Sequence, residues 1–312
     1  MARRRKGRPL SGVLLVDKAQ GASSNQVLQQ AKRLFNAAKA GHTGALDPLA
    51  TGLLPLCFGE ATKFSQMLLD SDKVYQTTGR LGIRTDTCDA DGEVTSELPV
   101  PETLTEDAIE SLLESHFQGE ITQFAPLYSA LKVNGRPMYE LARQGVEVKP
   151  KERQVTIYRI ELTRFQLSPV PEFDLEVHCS KGTYIRSIVD DLGQMLGCGA
   201  HVTRLHRLAH GPYQLAHAHA LADLADQPQE FLDSLLLPTE SALVDWPAVT
   251  LSADQTLRFL HGNPAQTTTA QHQPGTELKV YGADGTFLGV GESGVELVKP
   301  KRVVNFHPSP EA

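Results

Sequence analysis

The segment from Gly41 to Gly52 has the residues best suited to chemistry. It reads GHTGALDPLATG, and Asp47 is its one carboxylate. The glycines on either side of Asp47 let the backbone approach a ligand closely, while Pro48 restricts the turn. No Gly-Lys-Ser/Thr follows, so the segment is not a phosphate-binding P-loop. A carboxylate here can act as a nucleophile, a general base or a metal ligand, or simply cap a turn, and spacing alone does not choose among them.

A second segment of chemical interest is KGTYIR at residues 181–186, which joins an alternating strand to an amphipathic helix. Tyr184 and Arg186 lie outside the apolar stripe of that helix and close to its first turn. An arginine there opposes the helix dipole, which favours anions at that end. The position therefore indicates a specific partner for Arg186, such as a buried carboxylate or a phosphate, with a solvated arginine as the alternative.

Metal sites are not predicted. The segment DTCDADG at residues 86–92 resembles a calcium loop, but aligning Gly92 with the sixth position puts Thr87 first and Leu98 twelfth, where carboxylates are needed. A hairpin turn is the better interpretation. Two histidine pairs have possible ligand spacing but no third ligand, namely His206 with His210 and His217 with His219.

The surrounding patterns predict an α+β fold with a central, largely antiparallel mixed sheet flanked by helices. Apolar spacing predicts helices over 24–40 and 185–196 and another that begins at Thr105. Alternation predicts strands over 73–81 and 173–179, whereas 41–59 is expected to be a structured loop.

The C-terminal part of the chain, from about residue 217, differs in composition from the rest. Residues 217–247 lack Lys and Arg and are expected to be a helical connection, and three short strands follow, at 277–281, 286–291 and 295–298. We therefore expect a domain over 1–246 and a small β-rich domain over 247–312.

Charge is distributed unevenly along the chain. The net charge of −7, from 30 Lys and Arg against 37 Asp and Glu, by itself argues against a nucleic-acid partner. However, residues 1–63 hold 10 basic and 3 acidic side chains (+7) and residues 129–164 hold 8 and 4 (+4), whereas residues 64–128 hold 3 and 13 (−10). The two basic segments could form one surface for a polyanion, or each could be an ordinary solvated face.

The composition of the 312 residues, 40% of them apolar, predicts a globular protein. No run of about 18 apolar residues is present, so no membrane span is expected. The run Val13–Val16 after the basic start is too short for a secretory signal. Four cysteines without Cys-x-x-Cys spacing disfavour zinc and fit a reducing cytoplasm.

Four further segments accompany the 41–52 loop, and together they resemble the tRNA pseudouridine synthase B (TruB) family. They are GVLLVDK at 12–18, DKVY at 72–75, YSALK at 128–132 and CSKGTYIR at 179–186. The resemblance covers about residues 10–215, and the β-rich C-terminal segment resembles the family's PUA-like domain. Ala19 departs from the family, which usually has Pro after the lysine that corresponds to Lys18.

The resemblance implies a pseudouridine synthase fold and an isomerase that converts the uridine at position 55, in the T loop of tRNA, to pseudouridine. It implies that Asp47 is the nucleophile and that no cofactor or metal takes part. Whether the carboxylate attacks C1′ of the ribose or C6 of the base stays open.

Further site residues are carried over from the family. Arg186 would pair with the nucleophile, in a bidentate geometry that lysine does not reproduce. Tyr75 would stack on the uracil and assist removal of the C5 proton. Tyr184 and Leu205 would line the base pocket, and His42 would insert beside the position that the flipped base vacates.

RNA binding is assigned by the same resemblance to the basic segments. An insertion at about residues 124–152 would close over the T stem-loop, and the contacts would be mainly to phosphate and RNA shape. The residues assigned are Lys18, Lys132, Arg136 and Arg143. We expect a monomer that works without a guide RNA or a membrane.

Two alternatives remain at this point. A non-catalytic RNA-binding or RNA-folding protein would have no reason to keep Asp47, Tyr75 and Arg186 together. A metal-free glycoside hydrolase would need a second catalytic carboxylate, and the matched segments offer no obvious candidate.

Overall fold

The computed structural model describes residues 7–126, 128, 131–133, 135–144, 146, 151–267 and 272–305, which form a large mixed sheet with helices and a smaller C-terminal sheet. The α-helices are α1 (Ser24–Leu34), α2 (Ser65–Asp70), α3 (Glu106–His116), α4 (Met138–Arg143), α5 (Ile185–Met195), α6 (Leu221–Leu224), α7 (Gln229–Ser234) and α8 (Ala253–Leu260). Short 3-10 helices cover Gly59–Lys63, Leu215–His217 and Thr239–Leu243.

The strands of the large sheet are β1 (Gly12–Lys18), β2 (Ala40–His42), β3 (Thr51–Phe58), β4 (Lys73–Leu81), β7 (Gly119–Phe124), β10 (Glu152–Gln166), β11 (Glu172–Cys179), β12 (Ala200–His210), β13 (Tyr213–Gln214) and β14 (His219–Ala220). Two small hairpins pair β5 (Ile83–Thr85) with β6 (Val94–Glu97) and β8 (Lys132–Val133) with β9 (Arg136–Pro137). The C-terminal sheet contains β15 (Ala248–Thr250), β16 (Ala265–Gln266), β17 (Glu277–Tyr281), β18 (Phe287–Ser293) and β19 (Leu297–Val303).

The large sheet has the order β14-β1-β3-β12-β4-β11-β10-β7, with β2 on β3 and β13 on β12. Among the described strand pairs of this sheet, only β1–β14 and β3–β12 are parallel, so the prediction of a largely antiparallel mixed sheet is confirmed. Strand β1 shows why the sheet sits in the middle of the domain. Leu14 and Val16 join the core beneath α1 and α5, while Val13 and Leu15 join a second cluster on the opposite face.

Two predictions about the start of the chain were wrong. The first helix ends at Leu34 rather than near residue 40, because Asn36 takes a left-handed φ of 48° and residue 37 then pairs with Arg8. The expected 41–59 loop contains β3, whose sequence TGLLPLCF is buried throughout after its first residue. A strand that is covered on both faces has a continuous apolar run and not an alternating pattern. The glycine and proline within β3 are typical of loops and made the strand still harder to recognise.

The other elements agree more closely with the sequence. Strand β4 has the predicted bounds and β11 begins one residue earlier than predicted, at Glu172. Helix α3 begins after the Thr105 cap, and α5 covers the predicted helix to Met195. The expected helical connection over 217–247 holds only short helical segments. The last strand starts at Leu297 instead of residue 295, because Glu296 lies in a left-handed turn.

The C-terminal β-rich domain has its own core, which includes Phe259, Leu278 and Val298. It also packs against the large domain through a separate apolar cluster. There the rings of Phe64 and Phe287 lie 5.5 Å apart. Within the described residues, no helix has the length and apolar character needed to cross a membrane.

Candidate active site

A cavity of about 640 Å³ opens where the loop between β2 and β3 meets β4, β12 and the start of α5. It gathers five of the residues that the sequence singled out. They are Asp47, Tyr75, Tyr184, Arg186 and Leu205.

The loop that carries Asp47 is held in place from α1. Ser24, the first residue of α1, both donates through Oγ to the Leu46 carbonyl (3.1 Å) and accepts from the Leu46 amide (2.7 Å). Main-chain bonds from Gly21 to Pro48 (2.8 Å) and from Ala50 to Asp47 (3.1 Å) close the rest of the turn. The backbone on both sides of Asp47 is therefore anchored.

Lys18, at the end of β1, lies beneath the same loop. It is only 1% exposed, and its Nζ donates to the carbonyls of Ala19, Pro48 and Ala50. Burial, offset in part by the nearby Asp47, lowers the pKa of Lys18 to about 8. The structure thus places the Lys18 ammonium under the Asp47 loop and not on a surface that RNA could reach.

Arg186 lies in the first turn of α5 and bridges two carboxylates. Its Nη2 is 3.0 Å from Oδ2 of Asp47, and its Nη1 is 3.1 Å from Oδ2 of Asp89. The same guanidinium donates to the main-chain carbonyls of Thr87 (2.9 Å) and Tyr128 (3.0 Å). Because every bond fixes the plane of the guanidinium, Asp47 meets an arginine whose orientation is already determined.

Asp89 is a site residue that the sequence analysis did not single out. It belongs to the 86–92 turn, its side chain is 6% exposed, and it also accepts from the Thr87 hydroxyl (2.6 Å) and the Asp91 amide (3.1 Å). The position of Arg186 indicated a buried carboxylate partner. However, the sequence gave no basis for choosing this acid among the three in the turn, since only the fold brings β5 beside α5.

The Asp47 side chain is 43% exposed, yet it lies within the concave wall of the cavity. Burial raises the pKa of Asp47 above its usual value, and Asp89 adds to this effect, while Arg186 and Lys18 oppose it. The carboxylate is thus less strongly solvated than a surface aspartate, and its ionised form is stabilised by the two cationic neighbours, Arg186 and Lys18.

Tyr75 projects from β4 into the cavity. It is the cross-strand neighbour of Arg207 on β12, and both residues line the cavity. Burial raises the pKa of the Tyr75 phenol, and the positive charge of Arg207 opposes that rise. The phenol of Tyr75 is therefore protonated and uncharged at neutral pH.

Tyr184 and Leu205 complete the cavity wall. Tyr184 precedes the first residue of α5, and the guanidinium of Arg153 lies 5.5 Å from the centre of its ring. Leu205 on β12 is 7% exposed. These apolar and aromatic surfaces suit a planar ring with polar edges.

His42 ends β2 and does not line the cavity. Its Nδ1 is buried, without a hydrogen-bond partner among the described residues. Burial and the charge of Arg207 both lower the pKa of His42, so the ring is uncharged at neutral pH. Of the other assigned RNA contacts, Arg136 is exposed and donates to Gln144 (2.9 Å), whereas the side chains of Lys132 and Arg143 lie outside the described residues.

A carboxylate paired with a fixed arginine, facing an aromatic ring across a cavity, is the arrangement of an enzyme rather than of a binding module. Three family models match the chain. They are "TruB family pseudouridylate synthase (N terminal domain)" over residues 32–185, "tRNA pseudouridylate synthase B C-terminal domain" over 186–244 and "Pseudouridine synthase II TruB, C-terminal" over 247–304. The chain belongs to the TruB family of pseudouridylate synthases.

Relatives of similar length are named tRNA pseudouridine synthase B. The protein from Vibrio campbellii is 52% identical over 318 residues, covering 98% of this chain and 99% of the relative. The protein from Salmonella typhi is 50% identical over 317 residues, with the same coverage of both chains.

Solved structures confirm the pseudouridine synthase fold. A chain in a structure titled "Crystal Structure of a Cbf5-Nop10-Gar1 Complex" matches with a TM-score of 0.70 and 25% identity, covering 94% of this chain and 84% of that one. A chain in "Structure of H/ACA RNP bound to a substrate RNA containing 2'-deoxyuridine" matches with a TM-score of 0.70 and 22% identity, covering 99% and 92%.

Proposed function

We propose that this protein is a tRNA pseudouridine synthase that isomerises the uridine at position 55 of the T loop. The observation that carries the proposal is the 3.0 Å ion pair between Asp47 and Arg186 at a cavity that Tyr75 also lines. The relatives named tRNA pseudouridine synthase B, about half identical over nearly the whole chain, support tRNA as the substrate.

The reaction is an isomerisation, so no atom is gained or lost overall. The bond between C1′ of the ribose and N1 of uracil breaks, and a bond between C1′ and C5 forms. C5 loses its hydrogen as a proton, and N1 gains a proton. The carboxylate of Asp47 acts as the nucleophile, at either C1′ or C6, and leaves when the new carbon–carbon bond is complete.

Arg186 and Tyr75 serve this chemistry in different ways. Burial raises the pKa of the Asp47 carboxyl group, and the positive charge of Arg186 opposes this rise and keeps Asp47 ionised. The ion pair also fixes the orientation of the carboxylate. The ring of Tyr75 supports the flipped uracil, and its hydroxyl assists removal of the C5 proton. Tyr184 and Leu205 enclose the base.

A uridine stacked within a T loop must leave the stack before Asp47 can reach it. Unstacking costs a few kcal/mol, which contacts to the RNA must offset. His42, uncharged and planar, inserts at the vacated position. The insertion at about 124–152 holds the stem-loop, with Lys132, Arg136 and Arg143 on phosphates.

We further propose that the chain divides near Trp246 and acts as a monomer in the cytoplasm, without a guide RNA. The separate apolar core of the C-terminal domain supports this division. Relatives that match end to end are named as a single synthase, whereas the Cbf5 chain of lower identity is found in a complex with Nop10 and Gar1.

The proposed activity is tested with an unmodified tRNA transcript that contains uridine labelled with tritium at C5. We expect the purified protein alone to release one tritium per tRNA, because only the target uridine loses its C5 hydrogen. A transcript with cytidine at position 55 is the matched control and should release none. Equal release from both transcripts would refute the assigned position, and no release from either would refute the isomerase.

A further inference from the structure

The loop that leads into α5 is held from the edge of the large sheet. Strand β7 lies at that edge, and its Gln123 is the direct cross-strand partner of Arg153 on β10. Paired residues of neighbouring strands project from the same face of a sheet. Both side chains reach the segment 180–184, which forms part of the cavity wall. The two residues therefore hold one loop from one place in the sheet.

Gln123 makes two hydrogen bonds to the main chain of a single residue, Tyr184. Its Nε2 donates to the Tyr184 carbonyl (3.2 Å), and its Oε1 accepts from the Tyr184 amide (3.0 Å). This pattern determines which way the side-chain amide points, because a carbonyl only accepts and an N–H only donates. Gln123 is 2% exposed, so bulk water does not replace either partner when a bond is lost.

Arg153 holds the same loop two residues earlier. Its Nη1 donates to the Gly182 carbonyl (2.8 Å), and its guanidinium lies over the ring of Tyr184. Gly182 has a φ of +78°, and a Cβ there would lie 2.5 Å from Nη1 of Arg153. A side chain at residue 182 would therefore displace the guanidinium from the loop.

The first turn of α5 depends on such outside contacts because it lacks a side-chain cap. Tyr184 precedes the helix, and its side chain makes no capping bond. The residues that follow β7 continue the contact along the helix. The Phe124 carbonyl accepts from the Ser187 hydroxyl (3.2 Å). The Tyr128 carbonyl accepts from Arg186 (3.0 Å), the second residue of α5.

We propose that Gln123 is a positioning residue of the isomerase, which fixes the main chain before α5 and thereby the direction of Arg186 toward Asp47. The inference rests on the function proposed above and assigns a role to a residue outside the motifs that carried it. A catalytic group must be held within about 0.5 Å of its productive position. Gln123 does not line the cavity, so it acts through Tyr184, two residues before Arg186.

The first test measures the loss of positioning. Gln123→Met keeps the length of the side chain and removes both hydrogen bonds. We expect it to lower the single-turnover rate constant of tritium release about 10- to 100-fold, because misplacement of about 1 Å at a catalytic group has effects of this size. The dissociation constant for the tRNA should change less than about threefold, since Gln123 is buried and affinity comes mainly from phosphate contacts. An unchanged rate constant would overturn the proposal.

The pH dependence of the rate constant separates positioning from a general loss of stability. Arg186 opposes the rise in the pKa of Asp47 that burial causes. When Arg186 is less well aimed, in Gln123→Met, the pKa of Asp47 rises further and the acid limb of the rate moves to higher pH. The other charged groups that act on Asp47 are unchanged in this variant, namely Lys18, Asp89 and Asp91. An acid limb at the wild-type pH would overturn the effect on Arg186.

Hydrogen exchange tests the same contact even where the variant turns over too slowly for kinetics. The Tyr184 amide donates to Gln123, and this bond should protect it from exchange with solvent. We expect the exchange rate of the Tyr184 amide, followed by NMR, to rise about tenfold or more in Gln123→Met. An unchanged exchange rate would show that Gln123 does not hold this main chain.

Tyr213→Phe is the matched control, because it also removes a buried polar contact without changing the size of the side chain. The Tyr213 hydroxyl lies 2.7 Å from Oγ of Ser241, and Tyr213 is 5% exposed in the apolar cluster on the opposite face of the sheet. This variant should unfold at a lower urea concentration but keep the wild-type rate constant, acid limb and Tyr184 exchange rate.

Equal slowing of tritium release in Gln123→Met and Tyr213→Phe would make the effect a general consequence of lost stability and overturn the positioning role. An inactive wild type would instead refute the proposed function itself, so the two failures are distinguishable.

Discussion

Arg186 sits between two carboxylates, and this shared arginine defines the electrostatics of the site. Its Nη2 serves Asp47 and its Nη1 serves Asp89, at almost equal distances of 3.0 and 3.1 Å. Asp89 therefore fixes the guanidinium for Asp47 and, through its own charge, raises the pKa of Asp47. The two effects of Asp89 should be separable by experiment.

Asp89→Asn should lower the maximal rate constant about 10- to 100-fold, the equivalent of one hydrogen bond to a charged group at about 1.5–3 kcal/mol. It should also move the acid limb of the rate to lower pH, because removal of the Asp89 charge lets the pKa of Asp47 fall and the ionised nucleophile persists into more acidic solution. The measurement is single-turnover tritium release between pH 4.5 and 8.

Asp91→Asn removes the same charge two residues later and is the control. Asp91 also raises the pKa of Asp47, but it makes no bond to Arg186. The acid limb should shift slightly in the same direction while the maximal rate constant stays at the wild-type value. If Asp89→Asn behaved like Asp91→Asn, Asp89 would act by charge alone and not by holding Arg186.

At the residue scale, five of the residues that the sequence singled out line the cavity, whereas Asp89 was not singled out and Lys18 was assigned to RNA contact rather than to support of the loop. Asp47 and Arg186 stand out because their local context is unusual for their residue types. Asp89 and Lys18 do not, because an aspartate in a turn and a lysine at a strand end are ordinary until the fold buries them. Burial of a polar side chain depends on contacts between distant segments, which no short sequence pattern contains.

Among the elements, the start of α1 has a direct part in the site. Ser24 is 3% exposed, and its hydroxyl makes two hydrogen bonds to the main chain of Leu46, the residue before Asp47. The preceding residue, Ser23, caps the helix by accepting from the Gln26 amide (3.3 Å), and its side chain makes no hydrogen bond to the described residues of the loop. Two adjacent serines thus divide the tasks of starting the helix and holding the loop.

Ser24→Ala should lower the free energy of unfolding by about 1–3 kcal/mol, because the Leu46 amide and carbonyl lose their partner inside the protein. It should also slow tritium release, since the backbone beside Asp47 is no longer anchored. Urea denaturation and single-turnover assays measure the two effects.

Ser23→Ala is the matched variant, one residue away. Loss of the cap should lower the free energy of unfolding by about 1 kcal/mol and leave the rate constant unchanged. A similar loss of rate in both variants would indicate that general loosening of α1, and not the Ser24 bonds, controls the loop.

Elements with a clear period were predicted well, and the others were not. Strand β11 alternates because one face is buried more than the other, and α5 has a full apolar stripe. Strand β3 is covered on both faces and joined to the site loop by glycine and proline, so its sequence resembled a loop. The end of α1 depends on pairing with Arg8, far from it in sequence.

The C-terminal domain is fixed to the large domain through side chains and main chain together. Nζ of Lys63 donates to the Val303 carbonyl (2.7 Å), and Arg302 donates to the Lys63 carbonyl (2.9 Å). Phe64 and Phe287 share an apolar cluster against which Trp246, the one tryptophan of the sequence, is packed. Tryptophan fluorescence therefore reports on this junction.

Phe287→Ala should lower the free energy of unfolding by about 3 kcal/mol, because the ring is 7% exposed and its loss leaves a cavity at the junction. The transition followed by Trp246 fluorescence in urea should shift to lower concentration. Leu257→Ala, at a residue of the same domain that is 58% exposed, should change the free energy of unfolding by no more than about 0.5 kcal/mol. Equal midpoints for both variants would show that the junction adds nothing to stability.

For the molecule as a whole, the net charge of −7 was a poor guide to its partner. The basic segments and the acidic segment cancel in the sum, although an RNA meets only one surface at a time. The family was identifiable from five segments that occur in the family's order. The packing of the C-terminal domain against the large domain was not predictable, because the contact is made by single apolar residues such as Phe64 and Phe287, and no sequence pattern indicates which residues will meet.

The central claim is that Asp47 is the nucleophile of a tRNA isomerase, and Asp47→Asn tests it most directly. The variant keeps the size of the side chain and removes the charge, so tRNA binding, measured by filter retention, should stay within about threefold of wild type. Tritium release from a C5-labelled, unmodified tRNA should fall below detection in the variant and reach one equivalent in the wild type. Release by Asp47→Asn at a rate close to that of the wild type would contradict the account.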